Sequence, residues 1–174
     1  ILAAIKYTMG KSPYGYYGFG DIFVFIFFGL LSVFGSYFLQ TKSINYEVFM
    51  LGAIIGFLCV GVLNLNNIRD IENDSKMNKK TIPTRIGFKN AKFYHYCLII
   101  SSLLLIITFS TKFKISNRLI FIIVGILPIS FHLFKVNQAK SPIEFKPLLK
   151  QLAISTFLFS MFMSIFLIYE SIFF

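Results

Sequence analysis

The densest run of side chains able to do chemistry extends from Asn64 to Asp74: Asn-Leu-Asn-Asn-Ile-Arg-Asp-Ile-Glu-Asn-Asp. Spacings of three and four residues relate Asn64, Asn67, Asp70 (or Ile71) and Asp74, which predicts that they share one helix face. Asn66 joins Asp70 at the same distance. Two carboxylates one turn apart, backed by amides, make a compact set of hard oxygen donors. Mg²⁺ favours such donors and commonly takes one or two carboxylates together with substrate phosphates. A cationic set follows directly: Lys79, Lys80 and Arg85. Carboxylates able to hold a metal, beside cations able to grip phosphate oxygens, suit a diphosphate. Two plainer readings compete. One is a charged loop that only caps two helices and fixes their orientation. The other is a calcium loop, with Asp70, Glu72 and Asp74 at positions 1, 3 and 5. That loop fails because Ser75 stands where Gly is required and Thr81 where Glu is required.

A second stretch runs from Tyr7 to Asp21. Gly10, Gly15, Gly18, Gly20 and Pro13 oppose a regular helix. Tyr7, Tyr14, Tyr16 and Tyr17 supply flat rings with hydroxyl tips, suited to an aromatic substrate at a membrane surface. The competing reading is an interfacial turn with an aromatic belt. Asp21 weighs against it, since a carboxylate at the entry of an apolar span needs a reason. His95 and His132 are isolated in the sequence and are expected to be packed or helix-end residues rather than ligands. Glu170 is expected among headgroups at the outward end of the last span.

These residues need elements to position them, and composition says which. Of the 174 residues, 56% are hydrophobic and 14% charged, against about 25% charged in an average soluble domain. A soluble fold of this size could not hide so much apolar surface, so the bilayer is the expected solvent. Five spans are expected, at Phe19–Leu39, Tyr46–Leu65, Tyr96–Ser110, Leu119–Phe134 and Leu152–Phe174. They lack the alternation of membrane-barrel strands, so the fold class is an all-α polytopic transmembrane helical bundle. There are 23 Phe and no Trp, which leaves Tyr as the interfacial anchor. Cys59 and Cys97 fall in apolar runs without a CxxC partner and are expected to be buried small hydrophobes.

The net charge of +10 would point to nucleic acid in a soluble chain. Here the charges lie between the apolar runs, so topology explains them and no nucleic-acid partner is expected. Lys6, Lys11, Arg69, Lys76, Lys79, Lys80, Arg85, Lys89, Lys92, Lys135, Lys140, Lys146 and Lys150 fall on one side. Lys42, Lys112, Lys114 and Arg118 fall on the other. The positive-inside rule places the first group in the cytoplasm and the C-terminus outside. No secretory signal is visible. The chain starts at Ile1 within what reads as the tail of an apolar helix, so an N-terminal part is expected to be missing.

The run Asn66-Asn67-Ile68-Arg69-Asp70-x-x-x-Asp74, with Asn78-Lys79-Lys80-Thr81 and Thr84-Arg85-Ile86-Gly87, resembles the second aspartate-rich motif of the UbiA superfamily of membrane prenyltransferases. Pro13-Tyr14-Gly15-Tyr16-Tyr17-Gly18-Phe19-Gly20-Asp21 and Tyr94-His95 resemble its dihydroxynaphthoate branch. The likeness runs from Ala4 to about Phe174 as one domain, 1–174. It departs at Asn78, where the family usually has Gly, and at Lys80, where the family has Arg. The resemblance implies nine helices, of which these would be the fifth to ninth, with a first aspartate motif absent from this chain. It implies Mg²⁺-dependent transfer from a polyprenyl diphosphate to 1,4-dihydroxy-2-naphthoate with decarboxylation, in a bacterial cytoplasmic membrane. Asp70, Asp74 and Asn67 would hold the metal. Arg69, Lys79, Lys80 and Arg85 would neutralise the diphosphate. Tyr7, Thr8, Lys11 and Tyr14 would border the aromatic pocket. The 174 residues alone are expected to be inactive. Rival expectations are another acceptor (4-hydroxybenzoate or homogentisate), a membrane transporter and a non-catalytic membrane subunit. A transporter would place its ion site near the midplane rather than at the membrane edge.

The charge asymmetry makes a prediction about topology. With Cys59 and Cys97 replaced by Ala, a cysteine at Ser75 should be shielded from an impermeant thiol reagent added outside, and one at Ser116 should react. The reverse pattern inverts the orientation.

Overall fold

A computed structural model describes residues 18–111 and 122–173. Six helices and a short 3₁₀ turn at Pro142–Glu144, and no strand, are present among them. Helix α1 spans Gly20–Thr41, and its middle, Phe25–Gly35, is wound as a π-helix. Helix α2 is Tyr46–Arg69, α3 is the short Ile71–Lys76, α4 is Ile82–Ser110, α5 occupies 122–138 and α6 is Phe145–Phe173. Four segments are long and apolar enough to cross a membrane: Gly20–Thr41, Tyr46–Arg69, Ile82–Ser110 and Pro142–Ile168. The fourth expected span begins outside the described residues, and what is described of it is α5.

Helix α2 is the centre of the bundle. It packs against α1, α4 and α6, and its Ile54, Leu58, Leu65 and Ile68 are fully buried. Its start is set by Asn45, whose Oδ1 accepts from the backbone N–H of Glu47 at 2.7 Å and of Val48 at 3.3 Å. Between apolar helices in lipid there is little hydrophobic drive, so close approach has to come from small residues. At Gly29 a Cβ would stand 2.4 Å from the Gly56 Cα and 2.7 Å from the Gly52 carbonyl oxygen. The α1–α2 contact therefore requires hydrogen as the side chain there. The outer faces carry large exposed apolar groups such as Phe28, Leu39, Leu104, Phe157 and Ile165, as lipid-facing helices should.

The third expected span starts too late. Helix α4 begins at Ile82, not Tyr96, so Arg85, Lys89 and Lys92 sit on a helix rather than in a connection. Its start is written locally: Thr81 caps it and Pro83 occupies the first turn. Gly87 then interrupts it at φ +80° and ψ 164°. Open space surrounds the position of a Cβ there, so the backbone conformation alone demands glycine. Cys97 is exposed rather than buried as expected, while Cys59 is half-buried. Helical phase decides this, and an apolar run does not reveal which of its faces meets lipid.

Two substitutions check the packing. Gly29→Ala should lower stability in detergent by roughly 1–3 kcal/mol through overpacking. Gly87→Ala should cost about 1–3 kcal/mol through backbone conformation alone, since φ +80° with ψ 164° is a region essentially confined to glycine. An unchanged thermal midpoint in Gly29→Ala would show looser helix packing than the structure has, and one in Gly87→Ala would contradict the positive φ there.

Candidate active site

The chemistry-bearing residues gather at one end of the bundle. Helix α2 ends at Arg69, and Asp70 turns the chain (φ −98°, ψ 10°) into α3. The single face expected for Asn64, Asn67, Asp70 and Asp74 is therefore interrupted, because Asp70 leaves the helical conformation. Asp70 and Asp74 still lie one turn apart, with the Asp74 N–H donating to the Asp70 carbonyl at 2.8 Å. Asn64 turns away from the other three into the core. It is fully buried, and its Nδ2 donates to the Ala91 carbonyl at 3.1 Å. A lone amide in an apolar core takes the nearest backbone acceptor.

The two carboxylates have different surroundings. Arg69 forks onto Asp70, with Nε donating to Oδ1 at 2.7 Å and Nη2 to Oδ2 at 2.5 Å. The same Nη2 donates to Asn66 Oδ1 at 2.9 Å. This guanidinium holds the Asp70 carboxyl below its usual pKa. Asp70 opens onto a surface cavity of about 400 Å³ that it shares with Glu72, Lys76 and Ser141. Asp74 is buried, 5% exposed, and Lys79 Nζ donates to both its oxygens at 3.2 Å. The loop that brings Lys79 back is fixed by backbone chemistry. Asn78 sits at φ +54°, a left-handed conformation that Asn tolerates, which explains how it replaces the family's Gly. The Thr84 hydroxyl lies 3.0 Å from the Lys79 carbonyl and 2.8 Å from that of Thr81.

The N-terminal motif meets this loop. Gly18, at φ +81°, seats so that a Cβ would lie 3.0 Å from the Lys80 carbonyl oxygen and 3.3 Å from the Arg85 guanidinium carbon. A polar cavity of about 90 Å³ opens there, lined by Asp21, Asn66, Asn67, Lys79 and Thr81. Apolar grooves flank it on two sides. One, about 390 Å³, runs between α1 and α4 past Asp21, Phe25, Phe57 and Tyr94. The other, about 540 Å³, runs from Asn66 past Cys59, Val62 and Phe157 between α1 and α6. Asn67 and Lys79 thus line one cavity and Asp70 another, while Lys80 and Arg85 are exposed beside Gly18. Tyr7, Thr8, Lys11 and Tyr14 lie outside the described residues.

Two interactions escaped the sequence reading. His95 and His132, isolated in the sequence, meet at Nε2···Nε2 3.0 Å, both fully buried, so one ring donates and the other accepts between α4 and α5. Tyr94 Oη donates to Asp21 Oδ2 at 2.9 Å and ties α4 to α1. Nothing in local spacing signals either pair. Among the described residues no group of three or more His, Cys, Asp or Glu converges as a metal site.

A bundle of apolar helices that presents carboxylates, amides and cations at one end beside apolar grooves defines an integral-membrane protein. A model of the UbiA prenyltransferase family matches residues 1–156, and the chain belongs to that family. It is 38% identical over 165 residues to the 1,4-dihydroxy-2-naphthoate octaprenyltransferase of Haemophilus influenzae, which covers 95% of this chain and 54% of that protein. It is 46% identical over 110 residues to the enzyme of the same name from Escherichia coli, covering 63% of this chain and 36% of that one. The Bacillus subtilis enzyme of that name is 43% identical over 86 residues, covering 49% of this chain and 27% of that one. The chain thus spans about half the length of the first of these, and less of the others. No solved structure matches significantly.

The two ion pairs should differ when broken. Lys79→Met leaves a buried carboxylate unpaired and should destabilise by up to roughly 3 kcal/mol, the low end for buried pairs because Lys79 is partly exposed. Arg69→Gln acts on a pair about one-third exposed and should cost about 1 kcal/mol or less. Since the Asp70 pKa is depressed, its pair contributes above the usual carboxylate pKa and fades as pH falls through the lowered value. Equal losses in the two variants at neutral pH would contradict the burial difference.

Proposed function

We propose that the protein transfers a polyprenyl chain from its diphosphate to 1,4-dihydroxy-2-naphthoate, with loss of CO₂, giving demethylmenaquinone. The carrying observation is the polar cavity around Lys79, Asn66 and Asn67, set between two apolar grooves. A substrate with a charged head and a long apolar tail needs that pairing, and the naphthoate acceptor comes from the relatives' names. The groove lined by Cys59, Val62 and Phe157 suits the prenyl tail. The cations Lys79, Lys80, Arg85 and Arg69 suit the head. They would bind the leaving diphosphate and offset the charge it gains as its bond to the allylic carbon breaks. Tyr7, Thr8, Lys11 and Tyr14 would border the ring.

Asp70, Asp74 and Asn67 supply hard oxygens with only two carboxylates, the donor type Mg²⁺ favours; because Asp70 and Asn67 line different cavities and Lys79 engages both Asp74 oxygens, the three would have to rearrange to hold one ion. Bound there, the ion would add positive charge against the diphosphate. The basic segments Arg69–Arg85 and Lys135–Lys150 share the same end of the bundle, which favours a cytoplasmic site in a bacterial inner membrane.

Product analysis of the full-length protein with Mg²⁺, a polyprenyl diphosphate and 1,4-dihydroxy-2-naphthoate should show demethylmenaquinone by mass. The 174 residues alone should give none. Asp70→Ala and Asp74→Ala should each lower turnover by about 10²-fold or more, the scale of losing one charge-stabilising group, with the protein still expressed. Near-normal turnover in both variants removes metal binding from this motif.

A further inference from the structure

Among the described residues, Asp21 is the one that lines both the polar cavity and the groove between α1 and α4. It is 6% exposed at the first turn of a membrane-spanning helix. A carboxylate in that place is costly unless it is used or fully partnered. One partner is present: Tyr94 Oη donates to Oδ2 at 2.9 Å, and this bond fixes the carboxylate's orientation. Across the cavity stand the amides of Asn66 and Asn67 and the Lys79 ammonium, itself engaged with Asp74. The groove side offers rings and aliphatic groups, with Phe25 and Phe57 at 4.9 Å between centroids.

The geometry points to Asp21 as the group that recognises a ring hydroxyl of the aromatic acceptor, with Tyr94 as its positioning residue. This inference rests on the prenyl-transfer reading and deepens it. A hydroxylated aromatic acid lying in the groove would place its ring among Phe25, Phe57 and Leu98 and a hydroxyl at the carboxylate. The ring would then abut the polar cavity from the side opposite the groove proposed for the prenyl tail, so that the carbons joined by the new bond would meet at the cavity. A hydrogen bond from the hydroxyl to a carboxylate is charge-assisted and pushes electron density toward the ring. It also sets selectivity, because a site built to bond a substrate hydroxyl rejects an analogue that lacks it.

The test uses the full-length protein with 1,4-dihydroxy-2-naphthoate, with its 1-hydroxy-2- and 4-hydroxy-2-naphthoate analogues, and with a polyprenyl diphosphate. Asp21→Asn keeps size and a hydrogen-bond acceptor but loses the charge. It should raise KM for the naphthoate about ten-fold while KM for the diphosphate stays within about two-fold, which also reports an intact fold. The wild-type preference for the dihydroxy acceptor over one of the two analogues should shrink in Asp21→Asn. Tyr94→Phe, which removes a single oxygen, should shift the naphthoate KM the same way by a smaller factor. Parallel rises in both KM values, or an undiminished preference over both analogues, would reduce Asp21–Tyr94 to a tie between helices and overturn the inference alone. A wild-type protein that forms no prenylated product from any of these acceptors overturns the prenyl-transfer reading and this inference together.

Discussion

A carboxylate buried at a membrane edge must keep a cation, and the Asp74–Lys79 pair is the interaction on which the rest of the site depends. Asp74 is 5% exposed. Its partner lies five residues on, so the chain must double back between them. Asn78 accepts the left-handed conformation that this reversal needs, and the Lys79 N–H returns to the Asp74 carbonyl at 2.9 Å. The Thr84 hydroxyl then reaches the Lys79 carbonyl, and Thr81 caps α4. One consequence is functional geometry. Lys79 lines the polar cavity with its ammonium held by Asp74, so on the proposed reaction little rotamer freedom would remain to be lost on binding the diphosphate.

Around that pair the helices divide the available surface. Helix α2 touches α1, α4 and α6, and the two grooves open on either side of α1 where it crosses α2. Glycines at 29, 52 and 56 draw α1 close enough for Asp21, at its first turn, to reach Tyr94 on α4. Replacing hydrogen by methyl at this crossing would therefore displace a polar contact at the helix end as well as the packing at its middle. Gly18 acts similarly at the surface, where only a residue without Cβ lets the chain lie on the Lys80 carbonyl and the Arg85 guanidinium. The tyrosine-rich motif and the cationic motif, far apart in sequence, are joined by that contact.

What could be read from residue order was whatever depended on neighbours in the chain. Apolar length located the four described segments able to cross a membrane, one with its start too late, and the spacing of Asp70 and Asp74 placed them one turn apart. The left-handed Asn78 and the kink at Gly87 lie within motifs that the family resemblance marked. Contacts across the bundle were not legible. Asn64–Ala91, His95–His132 and Asp21–Tyr94 join residues 27, 37 and 73 positions apart, and a single sequence carries no sign of such pairing. The start of α4 was misplaced for another reason. Arg85, Lys89 and Lys92 looked like a connection because charge was taken to mean loop, whereas a helix end outside the hydrocarbon carries charge freely. Even the regular face expected from Asn64 to Asp74 failed at one residue, Asp70, whose ψ near 10° turns the chain.

That turn separates two carboxylates that sequence spacing makes equivalent. Asp74 is locked behind Lys79, and losing its partner would strand a charge away from water. Asp70 is about one-third exposed, and its bonds to Arg69 compete with solvent. On the proposed reaction the two then divide the work by environment rather than by residue type. Asp70 is the oxygen donor that exchanges partners at small cost, because Arg69 can turn its fork from carboxylate to phosphate, two anions that suit the same geometry. Asp74 holds Lys79 at the cavity and keeps the loop closed. Substituting Asp74 therefore acts on fold and chemistry together, while substituting Asp70 acts on chemistry with little effect on fold. The difference in burial between the two side chains is what sets them apart.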